Sequence, residues 1–169
     1  MQEPETAAEL HRRAERDQEA RRALPPGRTA QEWERIAAPV DRENRAWVRG
    51  VIDRLGWPGR SLVGTGGAEA AWLLVQHCEL ETQERCLPLL EAAVAAGEAE
   101  PWHLAYLEDR VRCRRGLPQR YGTQYISEGG GPPRLQPVED PDRLDERRAA
   151  AGLGPHAEHE AAVRAGGPR

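Results

Sequence analysis

The sequence predicts a mainly α-helical single domain, with about five core helices and a small antiparallel β-hairpin near the C-terminal third. Three observations carry this prediction. Apolar residues recur at helical spacing from Trp47 through Val111, and Gly56, Pro58, Gly97, Pro101 and Gly116 punctuate that region at helix-length intervals. After Gly116 the character changes to short segments rich in glutamine and tyrosine around a glycine-rich connection. A chain of 169 residues suits one domain with tails. The expected organisation is peripheral N-terminal helices over 1–39, a core domain over 40–139 and a polar helical tail over 140–169.

In chain order, residues 6–23 are strong helix formers with Thr6 as N-cap, but only Leu10 and the alanines offer apolar surface. "LPPG" ends that helix, and a short one anchored by Trp33 and Ile36 follows, closed by Pro39. Asp41 is expected to cap a helix over 41–55, whose Trp47, Val48, Val51, Ile52 and Leu55 form a core-facing stripe. The central helix, 67–79, has Glu69 as its one charge before Glu79, which predicts burial on nearly all sides. Thr82 caps a helix over 83–97 that Pro88 should kink, and Pro101 opens another that runs to about residue 115. "QRYGTQYIS" and "RLQPVED" read as strands that must pack against the helices, because an isolated hairpin is marginal in water. Polar helices and a disordered tip close the chain.

All 24 basic residues are arginine. Without lysine there is no Schiff base, no lysine-anchored pyridoxal phosphate and no phosphate-loop lysine. The arginine, alanine, glycine and proline usage is that of a high-GC bacterial genome. A net charge of -4 gives no basic face for nucleic acid. "AAWLLV" is too short to cross a bilayer and the N-terminal stretch is charged, so the expectation is a cytoplasmic protein without membrane contact. Three cysteines, none in a CxxC pair, argue against a disulfide framework or zinc finger.

Three polar groups stand out. On a helical wheel His77 falls with Ala70, Leu73 and Leu74, whereas Gln76 aligns with Glu69. A partner that satisfies a buried imidazole also fixes its tautomer, which makes His77 a candidate for proton transfer. In "LAYLEDRV", Leu104, Leu107 and Val111 form a core stripe, while Tyr106, Asp109 and Cys113 form a second one and Arg110 offers a two-pronged clamp for a carboxylate. "GLPQRYGTQY" gathers Gln119, Tyr121, Thr123 and Gln124, with Gly122 permitting close backbone approach. Each group also has a purely structural explanation: a satisfied core histidine, a solvated helix face, amides that cap helix ends. GxxxxGK[ST], GxSxG and HExxH are absent, Ser61 has no nucleophile-elbow context, and His156 and His159 sit in a polar tail.

Taken in order, "GWPGRSLVG", "QHC…Q", "LAYLEDRV" and "GLPQRYGTQY" resemble the bacterial domain of unknown function 6624. The resemblance covers about residues 41–126 and weakly the tail. It implies special status for Asp53, Trp57, Pro58, Ser61, Gly64, Gln76, His77, Gln83, Asp109, Arg110, Gln119, Tyr121, Gly122, Thr123 and Gln124. It supplies positions and no chemistry.

The expected function is a small cofactor-independent enzyme of bacterial, specialised metabolism. His77 acts as general acid or base and Asp109 orients it, while Arg110, Gln76, Gln119, Tyr121, Gln124, Trp57 and Asp53 hold a polar or carboxylate-bearing small molecule or peptide. Hydrolysis, cyclisation and isomerisation all remain open, and no cofactor or metal is expected. The pocket is expected where the QH helix, the DR helix and the YGTQ bend meet. Two alternatives stand beside it: a non-catalytic binding or protein-interaction module built on a buried polar network, and a metal-dependent enzyme using His77 with Asp109 or a cysteine.

Overall fold

The computed structural model describes residues 2–25, 27–127 and 131–166. The middle of the glycine-rich connection, residues 128–130, and the tip expected to be disordered lie outside the described residues. The fold is mainly helical and forms two compact units, residues 1–99 and 100–169.

The first unit comprises α1 (Pro4–Arg22), α2 (Ala30–Ile36), α3 (Ala38–Leu55), α4 (Arg60–Gln76) and α5 (Leu80–Ala95). Far from being peripheral, α1 packs along α4 and buries Ala7, Leu10 and Asp17. Its small apolar residues permit this close approach: a Cβ added to Gly67 of α4 would sit 3.6 Å from that of Ala7. The other buried apolar residues here include Val48, Val51 and Ile52 of α3, Ala71, Leu74 and Val75 of α4, and Leu90 of α5.

Several element ends differ from expectation for local reasons. Pro39 opens α3 rather than closing α2, because a first-turn proline forfeits no helical hydrogen bond. Asp41 then lies in the first turn of α3, buried, and does not cap it. Thr6 and Thr82 lie inside their helices, where their hydroxyls donate to Glu3 and Glu79. Helix α4 starts at Arg60 and is broken at Gly64, whose φ of 75° and ψ of 168° suit glycine alone.

The second unit comprises α6 (Pro101–Arg114), β1 (Tyr125–Ile126), β2 (Arg134–Leu135), a 3₁₀ turn at Pro141–Arg143, α7 (Leu144–Ala150) and α8 (His156–Arg164). The two strands pair antiparallel, Tyr125 opposite Leu135 and Ile126 opposite Arg134. Ala105, Leu107, Val111, Leu144, Ala151 and Val163 are its buried apolar residues among those described. Because Leu144 and Val163 come from the segment expected to be a polar tail, that segment belongs to the unit's packing. Among the described residues no helix is long and apolar enough to cross a membrane.

Candidate functional site

Asp17, on α1, is fully buried, and its Oδ1 lies 3.0 Å from Nδ1 of His77. A carboxylate only accepts, so Nδ1 carries the hydrogen and Nε2 is the basic nitrogen of the ring. Asp17 is held in turn: Arg21 meets Oδ1 at 3.0 Å and the Gln18 amide donates to Oδ2 at 3.0 Å. The second Arg21 nitrogen reaches Oδ1 of Asp41 at 3.1 Å, and Arg21 lies over the Trp33 ring, 5.5 Å from its centroid. Arg45 closes the circuit, with one nitrogen 3.9 Å from Asp41 while its Nε donates to the His77 carbonyl at 3.1 Å. His77 is thus fixed through both its ring and its backbone by α1 and α3.

The expected geometry of "QH" is reversed. His77 is the residue that ends α4, with φ of -103° and ψ of 6°, and its side chain keeps 20 % exposure. Gln76 is the more buried of the two. Gln83 joins them by donating from its amide to the carbonyls of Val75 at 3.2 Å and Gln76 at 2.8 Å, which satisfies orphan acceptors at the end of α4.

The carboxylate on the His77 ring is that of Asp17, and Asp109, in the second unit, has partners of its own. Its own carboxylate, fully buried, serves residues 120–123. It accepts from the backbone N–H of Arg120 at 2.6 Å, Tyr121 at 3.0 Å and Thr123 at 3.1 Å, and from the Thr123 hydroxyl at 3.0 Å. Burial raises the carboxyl pKa, and these four bonds to the charged form pull the other way without cancelling it. Gln119 continues the lattice: its Oε1 accepts from the Gln124 N–H, and its Nε2 donates to the carbonyls of Gln124 and Gln136. The Gln124 amide donates to the Thr123 hydroxyl.

Of the remaining expected site residues, Asp53 and Trp57 belong to the first unit and Arg110 and Tyr121 to the second. Asp53 is 60 % exposed and pairs with Arg85 at 2.6 Å. Trp57 lines a separate cavity of the first unit. Arg110 and Tyr121 are half-buried in the second unit, where the Arg120 guanidinium lies over the Tyr121 ring.

Asp17, Arg21, Asp41 and Arg45 were missed. Asp17 and Arg21 are four apart, which in sequence looks like an ordinary surface ion pair. His156 and His159 were also underrated. His156 Nε2 lies 3.0 Å from the Tyr125 hydroxyl, and His159 packs against Tyr106 and Tyr125. Burial, reinforced by the buried Arg148 guanidinium, lowers the pKa of both imidazoles. Among the described residues no group of three or more His, Cys, Asp and Glu is placed to hold a metal ion. Cys78 and Cys86 are buried thiols whose pKa values burial raises to about 12 and about 11.

The model of one protein family, described as a family of unknown function (DUF6624), matches residues 4–164, a span that includes both Asp17 and His77. No curated protein and no solved structure matches the chain.

Proposed function

The chain belongs to the DUF6624 family, which leaves the reaction to be argued from the side chains, and we propose an enzyme that uses His77 as general base and acid with Asp17 as its orienting carboxylate. The observation that carries this reading is the 3.0 Å contact between Nδ1 of a partly exposed His77 and a carboxylate that is itself clamped by Arg21. Such a carboxylate selects the tautomer with Nε2 basic and stabilises the imidazolium formed when Nε2 takes a proton. A carboxylate-bearing substrate suits the surroundings: Arg45 and Arg49, 35 % and 49 % exposed, share Glu79 close to His77. The reading places the protein in bacterial metabolism and assigns proton transfer to a polar small molecule or peptide.

A second reading is favoured by the Asp109 lattice. Asp109, Gln119, Thr123 and Gln124 serve to hold one loop, so this part of the marked set fits a buried network that fixes the fold. The first reading takes His77 and the second takes Asp109, Gln119, Thr123 and Gln124.

The test is incubation of purified wild-type and His77→Gln protein with a small-molecule extract of bacterial cells, followed by mass spectrometry. Wild-type protein should convert at least one compound, and His77→Gln should slow that conversion by about a hundredfold or more while keeping its melting temperature. Equal conversion by both proteins would overturn the assignment. A His77→Gln protein that unfolds would instead favour the structural reading.

A further inference from the structure

The end of β2, the 3₁₀ turn and the first turns of α7 and α8 line a cavity of about 580 Å³ within the second unit, which the acid–base reading leaves unused. Leu135, Val138 and Leu144 give it an apolar wall, and its volume falls within the range of small-molecule sites. Asp142, Asp145 and Glu160 supply carboxylates, and no arginine belongs to the lining.

His156 turns a free nitrogen toward this space. The Cδ2–Nε2 edge of its ring faces the protein: these atoms lie 2.9 and 3.2 Å from where a Cβ on Gly122 would stand, and Nε2 meets the Tyr125 hydroxyl at 3.0 Å. Neither Gly122 nor Tyr125 lines the cavity, whereas His156 does, so the ring presents its opposite edge, with Nδ1, to the cavity. Nδ1 has no hydrogen-bond partner among the described residues, and unlike the buried Nε2 of His159 it keeps contact with solvent. Burial and the Arg148 guanidinium lower the pKa of this imidazole, so near pH 7 the ring is neutral and able to accept.

The carboxylates are arranged around that nitrogen. Oδ1 of Asp145 accepts the His156 backbone N–H at 2.7 Å, which sets this carboxylate beside the ring and fills the helix start that would otherwise attract an anion. Glu160 follows His156 by four residues on one face of α8, where Arg164 holds it at 2.7 Å. Asp142 precedes Asp145 by three residues and is exposed at the rim. An anionic ligand is repelled, and a ligand must bring a cation that donates hydrogen bonds and a body that covers the apolar wall.

We propose that this cavity binds a small primary amine with an apolar body, whose ammonium donates to Asp145 and to Nδ1 of His156 and whose hydrocarbon packs on Leu135, Val138 and Leu144. An ammonium only donates, so the bound ring carries its hydrogen on Nε2, which donates to the Tyr125 oxygen. The assignment does not depend on that of His77 and Asp17.

2-Phenylethylamine is the probe, with 2-phenylethanol and 3-phenylpropanoate as its neutral and anionic counterparts. In full-length protein labelled with ¹⁵N-histidine, the amine should shift the His156 ring nitrogens saturably and hold Nδ1 unprotonated, leaving those of His11 and His77 in place. His156→Phe keeps a ring against Gly122, identifies the resonances and removes the acceptor, and ligand-observed NMR should show the amine bound about tenfold more weakly. Asp142→Arg provides a second variant, because the Asp142 side chain is exposed and makes no hydrogen bond or ion pair among the described residues, so reversing its charge leaves the fold alone. It should weaken the amine by about tenfold as well. The proposal is overturned if the His156 nitrogens do not respond to the amine, if 2-phenylethanol or 3-phenylpropanoate binds as well as the amine, or if Asp142→Arg binds the amine like wild type.

Discussion

Replacing Asp109 by asparagine keeps the side chain's shape and removes one of its two accepting oxygens. In the native protein Oδ2 takes the N–H and hydroxyl of Thr123 at 3.1 and 3.0 Å, while Oδ1 takes the N–H of Arg120 and Tyr121 at 2.6 and 3.0 Å. The Tyr121 N–H also lies 3.1 Å from Oδ2 and keeps an acceptor either way, so turning the amide leaves the N–H of Arg120 or that of Thr123 facing an NH₂ group. At roughly 1 to 3 kcal/mol for an unsatisfied buried group, the cost reaches about 3 kcal/mol. Thr123→Val loses the hydroxyl alone and should cost about 1 to 2 kcal/mol. Urea denaturation measures both, and amide hydrogen exchange at residues 120, 121 and 123 localises the effect, with rates rising roughly a hundredfold in the asparagine variant. Stability within about 0.5 kcal/mol of wild type, with exchange unchanged, would refute the argument that this carboxylate holds the loop. The pH response adds an independent check. Burial holds the folded Asp109 pKa above its ordinary 3.8, so the native state binds this proton more tightly than the unfolded chain. Its contribution to stability therefore falls as pH rises through the window above 3.8, and Asp109→Asn removes that slope.

His156 and His159 should make the second unit sensitive to acid. Their folded pKa values lie below 6.5, so the unfolded chain takes up protons first, and the stability they permit is full above 6.5 and lost as pH falls through the folded values. Thermal melts between neutral and mildly acidic pH should show this loss, and a His156→Gln, His159→Gln double variant should flatten it. Gly122→Ala should destabilise by about 2 kcal/mol or more in urea melts, since φ is 66° and a Cβ would meet His156 Cδ2 at 2.9 Å. Native protein at pH 8 should resist iodoacetamide at Cys78 and Cys86, because the thiols are buried with pKa values of about 12 and about 11. Denatured protein should react at both, as read by intact mass.

Periodicity made much of the fold legible. Val48, Val51 and Ile52 are buried as their spacing requires, α6 begins at Pro101, and the hairpin forms where glutamine, tyrosine and glycine displace the helical pattern. What failed to show was burial without hydrophobicity. Helix α1 offers few apolar side chains, yet alanine against glycine lets it lie on α4 and carry Asp17 into the interior. A sequence reveals that a carboxylate is four residues from an arginine, but not that the carboxylate is buried against an imidazole sixty residues away in the chain. His77 and Asp109 were both legible as polar positions on partly apolar helices. Their division into an imidazole site and a loop-holding lattice was not, because a buried Asp109 bound to backbone N–H groups has the same sequence signature as one bound to a substrate.

The account turns on which nitrogen of His77 is basic. Long-range ¹H–¹⁵N spectra of the imidazole, recorded on wild-type and Asp17→Asn protein near neutral pH, read this directly. The account predicts a protonated Nδ1 and a free-base Nε2 in wild type, with that preference weakened or reversed in the variant, whose side-chain amide can turn its NH₂ to the ring. A wild-type His77 protonated on Nε2 alone, or a spectrum unchanged by Asp17→Asn, would contradict it.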